Sequence, residues 1–172
     1  MMQETTARER DPFLEAVGRV TVAGAQLDSY LHNLLGILTM EPTLIRVASA
    51  EGTARLIEFC GIALTNDTIE PRDVAEIKAC LNRARDLKDK RNTVVHSLYS
   101  RAEDGSSFEA MKPRRRKLSH SVSTITVAEM EATADGITEL CQELFRVGWN
   151  ARAAKSGMDR IPPPGAPADA SA

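Results

Sequence analysis

The chain has 172 residues, of which 27% are charged and 4% aromatic, and its formal net charge is −2. That length suits one domain with one core. Few aromatics leave leucine, isoleucine, valine and alanine to do the packing, which favours close-packed helices over a β-sandwich. The near-neutral charge excludes a globally basic nucleic-acid binder, so any basic surface is local.

Residues 1–10 are polar and carry no apolar h-region, which reads as a flexible N-terminus rather than a secretory signal. Asp11-Pro12 then offers a side-chain acceptor followed by proline at the first helical position. Phe13, Val20, Leu27 and Leu34 form one apolar row, and Val17, Gly24, Leu31 and Leu38 form its neighbour. Both rows lie on one face of a helix over 12–39. Gly24 in the middle of it points to close approach by another backbone, the bland alternative being a tolerated weak spot in the helix.

Glu41-Pro42 restarts the chain into a short helix over 42–49, with a break at Glu51-Gly52. A third helix runs through Leu56, Ile57, Phe59, Cys60, Ile62, Ala63 and Leu64 and ends at Thr65-Asn66-Asp67. Glu70-Pro71 opens a long fourth helix over 71–98, with a buried stripe from Val74 and Ile77 to Val94, Val95 and Leu98. The helical period is lost from Tyr99 to Ile125. Asp104-Gly105 is a turn signal there, and 119–126 alternates and is rich in Ser, Thr and Val, so 99–125 reads as an irregular β-hairpin. Thr126-Val127-Ala128-Glu129 has the form of a capping box, and a last helix follows to about 155. Residues 156–172 are rich in proline and alanine and read as a disordered tail.

The expected architecture is all-α: a four- to five-helix bundle over 11–155 with a β-hairpin-like insertion before the last helix. The long apolar faces of the first and last helices suggest a homodimer. No apolar run approaches the ~20 residues that cross a bilayer, so the expected setting is cytoplasmic, with no membrane partner. Cys60, Cys80 and Cys141 are odd in number, widely spaced and set in apolar helical patterns. They read as small hydrophobes in a reducing compartment, and neither a metal nor a cofactor is expected.

The richest stretch is Lys88-Asp89-Lys90-Arg91-Asn92-Thr93-Val94-Val95-His96-Ser97. Arg91 lies one heptad from Ala84 and from Leu98, so with only ~20° of drift it points along the buried stripe. A buried guanidinium is costly unless an anion pairs with it. Asn92 and His96 are four apart and share a face. Arg91 and His96 are about 140° apart around the helix, so one helix alone does not make them converge. A facing helix, a second copy of the chain or a phosphate lying across both must supply the meeting point.

Arg91-Asn92-Thr93-Val94-Val95-His96, near the end of a bundle helix and ahead of a polar hairpin, resembles the signature of the HEPN superfamily. Arg115 to His120 has the same spacing, but in the hairpin and without the helix. The resemblance implies a metal-independent endoribonuclease, of a toxin or defence system, that faces an antitoxin partner and often pairs two copies into a composite cleft. It implies that His96 acts as general base on a ribose 2′-OH or as acid toward the leaving 5′-oxygen, since imidazole titrates near neutral pH. Arg91 would clamp the phosphate, and Asn92 would orient His96 or donate to a phosphate oxygen. Asp28, Ser97 and Tyr99 stand as supporting residues. A toxin branch of the family has a tyrosine two residues after the histidine. Here Leu98 occupies that place and the tyrosine is Tyr99, which puts control through tyrosine modification in doubt.

Lys112, Arg114, Arg115, Arg116 and Lys117 form a basic run around Pro113 that could track an RNA backbone. The bland reading is a solvated hairpin tip. The alternative for the whole chain is a non-catalytic HEPN-like module that binds a partner protein or nucleic acid, or a bundle in which Arg91, Asn92 and His96 form an internal polar network with an acid such as Asp28. His32 reads as an ordinary boundary histidine, and Trp149 as packing at the end of the last helix or at a dimer contact.

Overall fold

The computed structural model describes residues 10–65, 69–113 and 119–165. The elements are α1 (Pro12–Thr39), α2 (Pro42–Ala48), α3 (Thr53–Ala63), α4 (Pro71–His96), β1 (Leu98–Arg101), β2 (Phe108–Pro113), β3 (His120–Ile125) and α5 (Val127–Ser156). Helices dominate, with a small antiparallel sheet ahead of the last one. The expected stop of α3 at Asn66 and Asp67 falls outside the described residues.

Asp11 caps α1: its Oδ1 accepts from the Phe13 amide at 2.9 Å, and proline follows it. The predicted rows of α1 face inward. Val20, Gly24, Leu27, Leu31, Leu34 and Leu38 are buried, and Phe13 and Val17 pack at the edge. They meet Met130, Ala134, Ile137, Cys141 and Leu144 of α5, while Ile77, Leu81, Ala84 and Leu87 of α4 complete the core. Each leucine or isoleucine so enclosed contributes about 1.5–3 kcal/mol. α1 and α5 thus cover each other along these rows within one chain. Beyond these rows, Leu14 and Val22 of α1 and Phe145 of α5 stay exposed.

α4 ends at His96 rather than at residue 98. Ser97 is already extended, and Leu98 begins β1 with its side chain 72% exposed instead of joining the buried stripe. The expected two-stranded hairpin is a three-stranded meander in the order β1-β2-β3. β1 went unseen because Leu98–Arg101 is too short to show a period of two. The Asp104-Gly105 turn closes β1 onto β2: the Asp104 carboxylate accepts from the Ser106 and Ser107 amides at 2.9 and 3.0 Å, and Gly105 takes φ +70°. These bonds, with those from the Ser107 hydroxyl, hold the Asp104 carboxyl below its usual range. One face of the sheet docks on α1 through Phe108 and Tyr99, whose ring centroids lie 4.2 and 5.0 Å from that of Phe13.

The capping box forms as the sequence predicts. The Glu129 amide donates to Thr126 Oγ1 at 3.2 Å, and the Thr126 amide donates to Glu129 Oε2 at 2.8 Å. α5 closes on Gly157, whose φ of +64° favours glycine.

The tail expectation needs correction. Residues beyond Ser156 return to the bundle: Trp149 Nε1 donates to the Asp159 carbonyl at 2.9 Å, and Asn150 exchanges a reciprocal pair of bonds with the backbone of Ile161 at 2.8 and 2.9 Å. Arg160 forms an ion pair with the buried Asp73 of α4. Composition misled because this segment is held by polar partners rather than by apolar burial. Residues 1–9 and 166–172 lie outside the described residues.

Candidate functional site

A groove of about 780 Å³ opens where the C-terminal half of α4, the middle of α1, the start of α3 and the end of β2 meet. Its walls carry Arg91, Asn92 and His96 together with Asp28, Arg55, Lys88 and Lys112. Arg91 and His96 thus line one groove within a single chain. α3 and β2 supply the facing walls.

Arg91 is half-buried, as its phase along α4 predicts. Its Nη1 donates to Asn92 Oδ1 at 3.0 Å, and its Nε is buried without a hydrogen-bond partner. Among the described residues it forms no ion pair. The expected internal acid, Asp28, is engaged elsewhere: its Oδ1 accepts from the Thr53 hydroxyl at 2.5 Å. That bond ties α1 to the first residue of α3.

Asn92 pairs with Arg91, whereas the i,i+4 spacing had pointed to His96. A guanidinium is the stronger donor within reach of the Asn92 carbonyl oxygen, and His96 sits at the very end of α4 with its side chain exposed. Among the described residues the His96 ring has no hydrogen-bond partner. It is open to whatever enters the groove.

The groove is electropositive. Among the described residues, Arg55, Lys88, Arg91 and Lys112 stand on its walls against the carboxylate of Asp28. Arg55 shares its charge with Glu58 at 2.6 Å in an exposed pair of small energetic weight, and the half-buried Lys88 pairs with the exposed Asp89 at 3.0 Å. Gly52, Thr53 and Ala54 add the N-terminus of α3, whose N-cap Gly52 offers no side chain to satisfy the first amides. Free amides and the helix dipole at such an end favour an anion.

Sequence reasoning missed this wall. Gly52-Thr53 was legible as a helix start without an N-cap side chain, but its position opposite Arg91 was not. Arg55 and Lys88 carried no signal beyond their charge. Of the predicted basic run, Lys112 lines the groove, while Arg114, Arg115, Arg116 and Lys117 lie outside the described residues.

Ser97 and Tyr99 do not line the groove. The Ser97 hydroxyl is buried without a partner. The Tyr99 hydroxyl donates to the Val94 carbonyl at 2.8 Å and to the Thr93 carbonyl at 3.3 Å, so it closes the last turn of α4. Burial pushes that hydroxyl above its usual pKa. His32 is a boundary histidine whose Nε2 donates to the Ile45 carbonyl at 2.8 Å. Among the described residues no three His, Cys, Asp or Glu side chains gather as a metal-ligand set, and no helix is long and apolar enough to cross a membrane.

No known protein family matches this chain, and neither does any curated protein or solved structure.

Proposed function

We propose that the groove binds the phosphodiester backbone of RNA and cleaves it by 2′-OH attack, as in a metal-independent endoribonuclease of HEPN type. One observation carries the reading. A half-buried guanidinium without a carboxylate partner shares an electropositive groove with an exposed imidazole. Such a cation gains most from an external anion, and a phosphate accepts the planar guanidinium fork.

In this reading Arg91 holds a non-bridging phosphate oxygen, with Asn92 fixing its plane through Oδ1. The α3 amides, Lys88 and Lys112 track the flanking phosphates. His96 takes the proton of the 2′-OH as that oxygen bonds to phosphorus. The P–O5′ bond breaks and the leaving 5′-oxygen takes a proton from water. The products are a 2′,3′-cyclic phosphate and a 5′-hydroxyl. Arg91 stabilises the charge that builds on the pentacoordinate phosphorus. A toxin or defence role, with an antitoxin as partner, belongs to the same reading, and a second copy of the chain is not needed to assemble the groove.

The test is cleavage of a fluorescent single-stranded RNA by purified protein in EDTA, compared with His96→Ala. The variant should lose about 10²–10⁴-fold in rate while its RNA affinity and unfolding midpoint stay unchanged. Equal cleavage by both proteins removes His96 from the chemistry. A second reading, a binding module without catalysis, is favoured by the unanchored His96 ring. It predicts RNA affinity without cleavage in the parent protein.

A further inference from the structure

Gly24 lies in the middle of α1, directly under Arg91. A Cβ built on Gly24 falls 2.6 Å from Arg91 Nε, 3.3 Å from Cγ and 3.4 Å from Cδ. Real Cβ atoms essentially never approach another heavy atom closer than 3.0 Å. The close approach that the glycine signals is therefore made by a side chain, and the expectation of a neighbouring backbone is corrected. The same contact explains why Arg91 Nε is sealed from solvent. A helix-interior glycine is unfavourable relative to alanine, and an unpartnered buried N–H adds a further cost. Both costs fall on the one residue pair that aims a guanidinium into the groove.

We propose that Gly24 is a positioning residue for the phosphate clamp: the missing Cβ is the notch in which the stem of Arg91 lies, and it fixes the direction in which the guanidinium enters the groove. The inference rests on the reading of the groove as a phosphate site. The clash at 2.6 Å is with Nε, where the stem joins the guanidinium, and Cγ and Cδ follow at 3.3 and 3.4 Å, so a methyl group there displaces the guanidinium itself. The cheapest relief is rotation of the Arg91 stem, which leaves the helix packing intact and withdraws Nη1 from Asn92. The effect of an alanine is thus separable from its effect on the fold. Gly18 supplies the control: it stands on the same helix, and a Cβ there meets nothing within 4 Å.

Gly24→Ala, Gly18→Ala, Arg91→Ala and the double variant Gly24→Ala/Arg91→Ala are compared in two measurements. The first is binding of a fluorescein-labelled oligouridylate by anisotropy, with the unfolding temperature recorded alongside. Gly24→Ala should weaken binding at least 10-fold with an unchanged or raised unfolding temperature. Gly18→Ala should bind as the parent does, and the double variant should bind no worse than Arg91→Ala alone, because the glycine acts only through the arginine. The second is the Nε–Hε resonance of Arg91 in a ¹H–¹⁵N spectrum, assigned by its loss in Arg91→Ala. It should exchange slowly with water in the parent protein, and it should shift and exchange rapidly in Gly24→Ala. Parent-like binding by Gly24→Ala, additive losses in the double variant, or an unmoved resonance each overturns the role of Gly24. Failure of the parent protein to bind RNA overturns the phosphate site instead, and the resonance then decides alone whether Gly24 sets the position of Arg91.

Discussion

Replacing Arg91 with alanine separates an internal ion-pair network from an open anion site, because the two assign that residue opposite effects on stability. If Arg91 neutralised a buried carboxylate, its removal would strand that charge at a cost of about 3–5 kcal/mol. Among the described residues its hydrogen-bond partner is the neutral Asn92 Oδ1, at 3.0 Å. That bond to a charged donor is worth about 1.5–3 kcal/mol in a buried setting, and less here, where both residues are half-exposed. Against it stands the relief of the unpartnered Nε, about 1–3 kcal/mol. The terms nearly cancel, so Arg91→Ala should shift unfolding by no more than about 1 kcal/mol. The lost phosphate contact should cost about 1.5–3 kcal/mol, or roughly 10- to 100-fold in Kd. The slope of log affinity against log salt should become shallower as well. Urea unfolding followed by far-UV circular dichroism gives the first quantity, and anisotropy of a labelled single-stranded RNA gives the second. Destabilisation of about 3 kcal/mol or more, or undiminished RNA affinity, would refute the reasoning.

Burial pushes the Cys60 thiol up to about 12 and those of Cys80 and Cys141 up to about 11. At pH 8 roughly one thiol in a thousand or fewer is then the reactive thiolate, so a disulfide-exchange reagent should label none of the three in native buffer within minutes and all of them in denaturant. Rapid native labelling of any one contradicts its placement. Arg160→Ala leaves the Asp73 carboxylate, 2% exposed, without its guanidinium. Because Arg160 itself stays partly solvated, the cost should be about 2 kcal/mol, and an unchanged urea midpoint would show that the segment after α5 is not docked. The Thr126 amide and hydroxyl hold the Glu129 carboxyl below its usual range, so its capping contribution is full above the unfolded-state pKa and is lost as pH falls through the lower folded value. The gap in unfolding temperature between the parent and Glu129→Gln should therefore be open near neutral pH and close in acid below about pH 4. A gap that widens in acid has the wrong sign for a capping carboxylate.

The helices were legible because each carries a period and punctuation. Asp11-Pro12, Glu41-Pro42 and Glu70-Pro71 place proline where its missing N–H costs nothing, and Thr126 with Glu129 marks the last start. Leu27, Leu31 and Leu34 could be assigned to the core from spacing alone. The ends of elements were less legible. Nothing in Val95-His96-Ser97-Leu98 distinguishes one more helical turn from the first residues of a strand. That choice depends on β2, since Leu98 pairs with Met111 only after the chain has turned back. The docked segment after Ser156 was hidden for a related reason. Its partners, Asp73 and Asn150, lie on two helices and hold it through polar contacts that hydrophobic periodicity does not register.

For the site, spacing set directions around one helix but not what stands opposite. The phase of Arg91 placed it at the boundary of the core, and desolvation then demanded an anion. Asp28 of α1 was the natural candidate, yet the hydroxyl of Thr53, the first residue of α3, claims it. That single bond decides the electrostatics of the groove. If Asp28 faced the guanidinium, the site would be internally neutral and an incoming phosphate would have to displace a carboxylate. With Asp28 held by Thr53, the guanidinium makes no direct ion pair among the described residues, and it is already bonded to Asn92 and seated on Gly24, so little reorganisation is required when an anion arrives. Interactions prepared in this way contribute their full strength to a bound phosphate. Thr53→Val should release Asp28 to turn toward Arg91. It should therefore weaken RNA binding, although Thr53 carries no charge and contributes only an uncharged group to the groove wall. Parent-like RNA affinity in Thr53→Val would mean that the Asp28–Thr53 bond does not keep the guanidinium available.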